Sequence, residues 1–109
     1  MDRSWLFLML AIFLEVLGTT SMKLSAGFTK LIPSILLFVF YGTSFIFITL
    51  ALKKIDVSIT YAVWSGVGTA FIAVIGILWF KEPATLLKFL SIGLIILGVI
   101  GLNFGNKIQ

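Results

Sequence analysis

The chain has 109 residues, of which 61% are hydrophobic and 11% are charged, and its formal net charge is +4. This length allows one domain, and this composition excludes an ordinary soluble one. Cysteine and histidine are both absent, which excludes disulfides, thiol nucleophiles, histidine-based hydrolysis and most transition-metal sites. The basic residues are spread along the chain rather than clustered, so nucleic acid is not an expected partner. We predict an all-α integral membrane domain over residues 1–109 that needs no cofactor or metal.

Four apolar stretches are each close to the ~20 residues that a helix needs to cross a bilayer. They cover roughly residues 4–22, 32–52, 57–80 and 85–104, and the connectors are only a few residues long. The first stretch could be taken for a signal peptide because Arg3 precedes it. It lacks a clear small-residue cleavage site and carries Glu15 at its centre, so we predict a retained span.

Glu15 is the only charged residue inside the first apolar stretch. An acid at that depth loses hydration that lipid cannot replace, so such residues usually face a protein interior and mark an ion or substrate path. Helical spacing places Ala11 and Gly18 on the same stripe, with Thr19 beside it, so small neighbours leave space around the carboxylate. We predict that Glu15 binds protons and substrate and that these three neighbours control packing and access.

The second stretch begins near Pro33, which suits a first helical turn, and presents Phe38, Tyr41 and Phe45 at helical spacing. Such an aromatic stripe is commonly a packing or lipid-facing surface. Tyr41 is the exception, because its hydroxyl needs a polar partner at depth.

The third stretch carries aromatic rings and hydroxyls on one face, at Tyr61, Trp64 and Ser65. Aromatic rings attract organic cations by ~2 kcal/mol or more where water is excluded, so these rings next to an ionised acid would form a site for a lipophilic cation. Tyr61 lies near the start of the span, where a role in the interfacial aromatic belt is also open. Gly66 and Gly68 loosen the backbone and can bend this helix.

The fourth stretch follows Pro83 and contains no acid. Small residues recur seven apart along it, at Ser91, Gly98 and Gly105. A smooth face of this kind is typical of a seam between membrane helices, so we assign it to dimerisation.

One acid per chain predicts a site shared by two chains. Four short helices can hardly enclose a polar cavity and also provide an assembly surface, so two copies of Glu15 would share one site. Burial and the like charge of the twin both favour the protonated acid. Because an organic cation is attracted to the ionised form, protons and cation compete, and competition coupled to alternating access gives exchange.

Basic residues are balanced across the predicted membrane. If both termini share a side, that side and the other each carry four basic residues, namely Arg3, Lys53, Lys54 and Lys107 against Lys23, Lys30, Lys81 and Lys88. The positive-inside rule then has no excess to act on, so the chain can insert both ways round and pair with an inverted copy. The other interpretation is that side-chain depth or the N-terminal amine favours one orientation despite the equal number of basic residues.

With these residues in place, the chain resembles the small multidrug resistance family of bacterial inner-membrane exporters over essentially its full length. The matching segments are residues 15–20 (EVLGTT), 22–23 (MK), 25–30 (SAGFTK) and 61–68 (YAVWSGVG). The resemblance implies a four-helix protomer, an antiparallel homodimer and proton-coupled export in which the membrane glutamate serves both protons and drug.

The resemblance also implies roles for single residues. The family glutamate falls on Glu15, and its site residues fall on Gly18, Thr19, Tyr41, Phe45, Tyr61, Trp64 and Ser65, with Gly98 as the seam glycine. Guanidinium exporters of the family usually have tryptophan where this chain has Gly18, which favours the branch that exports quaternary ammonium compounds. The segment Lys81-Glu82-Pro83 looks more like the guanidinium branch, so that alternative stays open.

Three further alternatives come from other classes. The chain could be one subunit of a paired exporter of polyamines or drugs, although its balanced charge argues against a partner of fixed orientation. It could be an assembly factor in which Glu15 pairs with a basic residue of a larger complex. An enzyme is not expected, because the sequence offers no nucleophile–base pair, second membrane acid or metal site.

Overall fold

The computed structural model describes residues 3–108, which form four α-helices. They are α1 (Arg3–Leu24), α2 (Leu31–Ala51), α3 (Val57–Leu78) and α4 (Leu86–Ile108). Each is long and apolar enough to cross a membrane, with the α4 span at Leu86–Gly105. The predicted all-α, multi-pass architecture is therefore confirmed, while the predicted ends of the third and fourth helices need correction.

The third helix ends at Leu78, about two residues before its predicted end. The backbone N–H of Trp79 donates to the carbonyl of Ile75, and the chain then leaves the helix. Lys81 takes a left-handed conformation with φ of 58°, and the N–H of Glu82 returns to the Gly76 carbonyl at 2.9 Å. Apolar composition continues through this turn, which is why the sequence pattern overestimates the helix.

The fourth helix begins at Leu86, close to the predicted start at residue 85, and Pro83 lies in the connector before it. The Thr85 hydroxyl accepts the backbone N–H of Lys88 at 3.1 Å, which is the geometry of a helix N-cap. The helix continues to Ile108, past the apolar run that predicted its end.

The described residues divide into two compact units. The first contains α1 and α2 and extends to Ile55, and the second begins at Asp56 and contains α3 and α4. A single four-helix domain stays a prediction.

In the first unit, the buried face of α1 carries small and branched side chains. Leu8 and Ala11 are fully buried, as is Ser44 of α2, whose hydroxyl donates to the Ala11 carbonyl at 2.7 Å. The rings of Phe7 and Phe47 stack with centroids 5.8 Å apart. This contact set holds the middle of α1 against α2.

A tight connector lets α1 and α2 run antiparallel. Ala26, Gly27 and Phe28 all have positive φ, so the chain reverses in a short left-handed segment. Ser25 is buried at its base, where its hydroxyl donates to the Met22 carbonyl and accepts the N–H of Phe28.

In the second unit, glycine allows α4 to lie close to α3. A Cβ atom built on Gly66 would lie 2.6 Å from Val99 Cγ2 and 3.2 Å from Ile95 Cγ2. A side chain at this position would therefore force the two helices apart. Most large side chains of α4 are exposed, among them Leu94, Leu97 and Phe104, as expected of a surface that meets lipid or another chain.

Candidate functional site

Glu15 lies near the middle of α1 and is half-buried. The hydroxyl of Thr19, one turn further along the same helix, donates to Glu15 Oε1 at 2.9 Å. Residues four apart lie on the same face of a helix, so this contact follows directly from the spacing. It satisfies one carboxylate oxygen from within α1.

Tyr41 of α2 extends this hydrogen-bond chain across the helix pair. Its hydroxyl is hydrogen-bonded to Thr19 Oγ1. Because the Thr19 proton is used toward Glu15, the Tyr41 hydroxyl is the donor in this contact. The expectation that Tyr41 needs a polar partner at depth is confirmed, and that partner is Thr19.

Gly18 makes room for the Tyr41 ring. A Cβ atom built on Gly18 would lie 3.0 Å from Cδ2 and 3.2 Å from Cε2 of this tyrosine. The ring can rest against α1 because this position has no side chain, and a large residue here would displace it. Gly18 therefore supports the Tyr41–Thr19 contact.

The second oxygen of Glu15 has no hydrogen-bond partner among residues 3–108. Glu15 Oε2 is buried, and among residues 3–108 no donor lies within hydrogen-bond reach of it. A buried polar atom without a partner costs about 1–3 kcal/mol, and more if it is charged. A proton on this oxygen or a cation beside it would relieve that cost.

Phe45 lies one turn beyond Tyr41 on α2. Their ring centroids are 6.1 Å apart with planes tilted by 40°, and the Phe45 side chain is exposed. The two rings form one aromatic surface that begins at the Glu15 hydrogen-bond chain.

A second aromatic pair lies on α3. The centroids of Tyr61 and Trp64 are 5.9 Å apart and their planes are tilted by 39°. Tyr61 is exposed, whereas the indole Nε1 of Trp64 is buried and finds no acceptor in residues 3–108. The Ser65 hydroxyl donates to the Tyr61 carbonyl at 2.7 Å, so this serine keeps only lone pairs for another partner.

The predicted site residues thus fall into two groups. One set surrounds the acid in the first unit, and the other belongs to the second unit. The first set is Ala11, Glu15, Gly18, Thr19, Tyr41 and Phe45, and the second is Tyr61, Trp64, Ser65, Gly66, Gly68, Ser91, Gly98 and Gly105.

The glycines and Ser91 of the second unit differ in their surroundings. Gly66 contacts α4, and α3 stays helical through Gly66 and Gly68, so a bend there stays a prediction. Gly98 and Gly105 have open space within 4 Å of a built Cβ atom, and Ser91 is exposed. Ser91 also lines an open groove of about 460 Å³ between α3 and α4, together with Glu82 and Lys88.

Ser44 of α2 also contacts the helix face that carries Glu15, although the sequence pattern did not predict this contact. Its hydroxyl reaches the Ala11 carbonyl, one turn before Glu15 on the same stripe of α1. A signal was present, since Ser44 lies three residues after Tyr41 and shares its helix face. Serine is common in membrane helices, however, and its usual bond is to its own backbone.

Four apolar helices with one acid inside them define a small multi-pass membrane protein. Residues 3–95 match the family described as Small Multidrug Resistance protein. The chain belongs to this family, as its sequence motifs predict.

Individual relatives match nearly the whole chain. It is 62% identical over 100 residues to the uncharacterized membrane protein YvaE of Bacillus subtilis, covering 92% of this chain and 84% of the relative. It is 42% identical to the quaternary ammonium compound-resistance protein QacF of Klebsiella aerogenes, covering 98% and 97%. It is 46% identical to the multidrug resistance protein EbrB of Bacillus subtilis, covering 93% and 86%.

Proposed function

We propose that this protein is a proton-coupled antiporter in the plasma membrane of a bacterium, where it exports lipophilic, aromatic quaternary ammonium cations. Its family membership supports a role in drug resistance. Relatives named for resistance to quaternary ammonium compounds support the substrate class, and one of them spans 98% of this chain.

The observation that carries the proposal is the unpartnered oxygen of Glu15. Thr19 occupies Oε1, while Oε2 is buried and finds no donor in the described part of the chain. An ionised carboxylate in this position attracts a cation, and a protonated one does not. The same atom therefore serves protons and substrate in turn, which is the requirement for obligatory exchange.

Coupling follows from this competition. Protonation of Glu15 releases the cation, and cation binding releases the proton. If each occupied form favours a different open face, an inward proton gradient drives the cation outward by alternating access.

Aromatic rings account for a lipophilic cation as the substrate. Tyr41 and Phe45 form one aromatic surface, and Tyr61 and Trp64 form another. Ring faces attract quaternary ammonium groups, which have no N–H and need no hydrogen-bond acceptor. We propose that both pairs contact the substrate and that Ser65 contributes a lone pair beside them.

An antiparallel homodimer supplies the second acid. Each chain carries one acid within its spans, and the small-residue face of α4 at Ser91, Gly98 and Gly105 is free of close contacts at both glycines. We propose that this face is the seam between two inverted copies, and that two Glu15 side chains share one site.

Gly18 favours the quaternary ammonium branch over guanidinium export. The Tyr41 ring occupies the space that a tryptophan at this position would need. Because Gly18 has no side chain, the Tyr41 ring can lie against α1 and provide a ring surface for an aromatic cation.

Removal of the acid tests the proposal. Purified wild-type protein should bind ethidium and release protons when ethidium is added, and guanidinium added in a parallel titration should release fewer. Glu15→Gln keeps the size of the side chain but cannot ionise, so cation binding and proton release should both fall below detection. Fluorescence titration and a weakly buffered pH measurement provide the two readouts.

Glu82→Gln is the matched control, because Glu82 is an acid of the exposed connector that lies 3.7 Å from Lys88 Nζ. This variant should bind and release as the wild type does. Proton release retained in Glu15→Gln would refute the exchange site. Stronger release with guanidinium than with ethidium would assign the chain to the other branch.

A further inference from the structure

The hydroxyl of Ser44 makes a contact unlike that of its neighbours on α2. Thr43 and Thr49 donate to carbonyls four residues earlier in their own helix, at 2.8 Å and 2.7 Å. Ser44 instead reaches across to α1 and donates to the Ala11 carbonyl at 2.7 Å, and both residues are fully buried. A serine in a membrane helix usually satisfies its proton locally, so this cross-helix bond is a specific feature of the pair.

The acceptor carbonyl belongs to the turn that carries Glu15. In an α-helix the carbonyl of residue 11 accepts the backbone N–H of residue 15. Ser44 therefore holds the same peptide group that anchors the backbone of the membrane acid. Since Ala11 has no side chain beyond Cβ, α2 can come close enough for this bond to form.

A second cross-helix hydrogen bond lies on the other side of Glu15. Tyr41 bonds to Thr19, one turn after the acid, whereas Ser44 bonds one turn before it. Positions 11, 15 and 19 share one stripe of α1, and positions 41 and 44 share one face of α2. Glu15 thus lies between two fixed points, which together set both the rotation and the axial register of α1 on α2.

We propose that Ser44 is a positioning residue for Glu15. By holding the turn before the acid, Ser44 keeps Oε1 within reach of Thr19 and leaves Oε2 as the oxygen that exchanges proton and cation. Its own hydroxyl contacts a backbone carbonyl and has no proton left for the substrate. Ser44 acts in this way only if Glu15 is the exchange site proposed above.

The test measures cation affinity in the folded protein. Ser44→Ala removes the hydroxyl with little change in volume, and the dissociation constant for ethidium should rise about tenfold, the scale of losing one buried hydrogen bond. Thr43→Val, which removes a hydroxyl bonded within α2, should leave the constant within about twofold of wild type, as expected for a local side-chain bond. Both constants are determined on the monodisperse fraction, so a loss of folded protein does not imitate the effect.

A double substitution separates positioning from general loosening. If the two cross-helix bonds act together, Ser44→Ala in a Tyr41→Phe background should weaken binding less than it does in the wild type. A purely structural role for Ser44 would lower the thermal midpoint but leave the ethidium constant of the folded fraction unchanged. Equal constants for Ser44→Ala and wild type would overturn the proposal.

Two further variants, Ser44→Cys and Glu15→Gln, separate a failure of the Ser44 proposal from a folding defect and from a failure of the proposed function. If Ser44→Ala does not fold, Ser44→Cys fills the same space with a much weaker donor and should also weaken binding. If Glu15→Gln abolishes ethidium binding while Ser44→Ala binds as tightly as the wild type, the role of Ser44 is rejected and the proposed function is retained. Wild-type protein that binds no ethidium would reject the proposed function itself.

Discussion

At the residue scale, three side chains on two helices are linked by hydrogen bonds. Tyr41 donates to Thr19, Thr19 donates to Glu15 Oε1, and Glu15 Oε2 is left without a partner in the described chain. Each hydroxyl has one proton to donate, and an ionised carboxylate can only accept. The carboxylate of Glu15 therefore sets the direction of both hydrogen bonds. This polarity leaves one oxygen satisfied and one available for a proton or cation.

Gly18 is the residue whose replacement tests this local order. Gly18→Leu would drive a side chain into the Tyr41 ring, so the tyrosine must move and its bond to Thr19 must break. We expect a loss of unfolding free energy of about 1–3 kcal/mol and weaker ethidium binding. Thermal unfolding in detergent and fluorescence titration measure the two effects.

Gly42→Leu is the control for that substitution. Gly42 is an exposed glycine of the same helix pair, with no atom within 4 Å of a built Cβ. It should retain wild-type affinity and stability. Equal losses in the two variants would show that the effect comes from leucine in a membrane helix and not from Tyr41.

At the scale of helices, each pair is held by a different device. α1 and α2 are joined by hydrogen bonds at Ser44 and Tyr41, whereas α3 approaches α4 through the missing side chain of Gly66. Membrane helices gain little from the hydrophobic effect between them, so close packing and buried hydrogen bonds decide which faces meet. Both devices depend on small residues within otherwise bulky helices.

The close approach of Gly66 to Val99 predicts that a substitution at one position can be compensated by a substitution at the other. Gly66→Ala places a Cβ atom 2.6 Å from Val99 Cγ2, so we expect a loss of stability of about 1–3 kcal/mol from overpacking. Val99→Ala removes the atom that would clash and should restore part of the loss. Thermal midpoints of the single and double variants measure the coupling.

Gly93→Ala provides the comparison, because Gly93 lies on α4 with open space around a built Cβ atom. It should be neutral or slightly stabilising, since alanine is the better helix former. A loss in Gly93→Ala as large as that in Gly66→Ala would contradict the role assigned to the Gly66–Val99 contact.

At the scale of the whole molecule, the orientation of the chain in the membrane depends on how many basic residues lie on each side of it, which no single helix determines. Four basic residues are predicted on each side, so neither orientation is favoured by the positive-inside rule. Acidic residues contribute little to that rule, and one added lysine on either side would break the balance. Two inverted copies of one chain are the assembly that this balance permits.

Opposed charge variants test that assembly. Asp56→Lys adds a positive charge near Lys53 and Lys54, and Glu82→Lys adds one near Lys81 on the opposite side. Each variant alone should insert in one orientation and lose resistance to quaternary ammonium compounds. Accessibility of a C-terminal tag in oriented membranes measures the orientation, and growth in the presence of the drug measures the function.

Co-expression of the two variants should restore resistance, because the inverted partner is then available. Asp56 makes no side-chain cap bond at the start of α3, so its replacement removes no described contact of that kind. Full resistance from Asp56→Lys alone, with its tag on a single side, would contradict the antiparallel homodimer.

Periodicity and composition are sufficient to predict four helices and to locate the single acid, Glu15, inside one of them. Spans of about 20 apolar residues are unambiguous in a chain this hydrophobic, and a lone acid among them is visible without coordinates. Helix ends were less well predicted, since Trp79 and Phe80 are as apolar as the helix before them but lie in the turn that Lys81 completes.

Amino-acid order alone determined that the chain crosses a membrane four times, that its acid lies at depth, and that Ala11, Gly18 and Thr19 share its helix face, because these depend on spacing along one element. Only the tertiary structure decided that Tyr41 completes the bond to Thr19, that Ser44 holds the carbonyl before Glu15, and that Gly66 admits Val99. Those contacts join residues distant in sequence. Rotation and register between helices, which helical periodicity does not contain, determine which of these side chains meet.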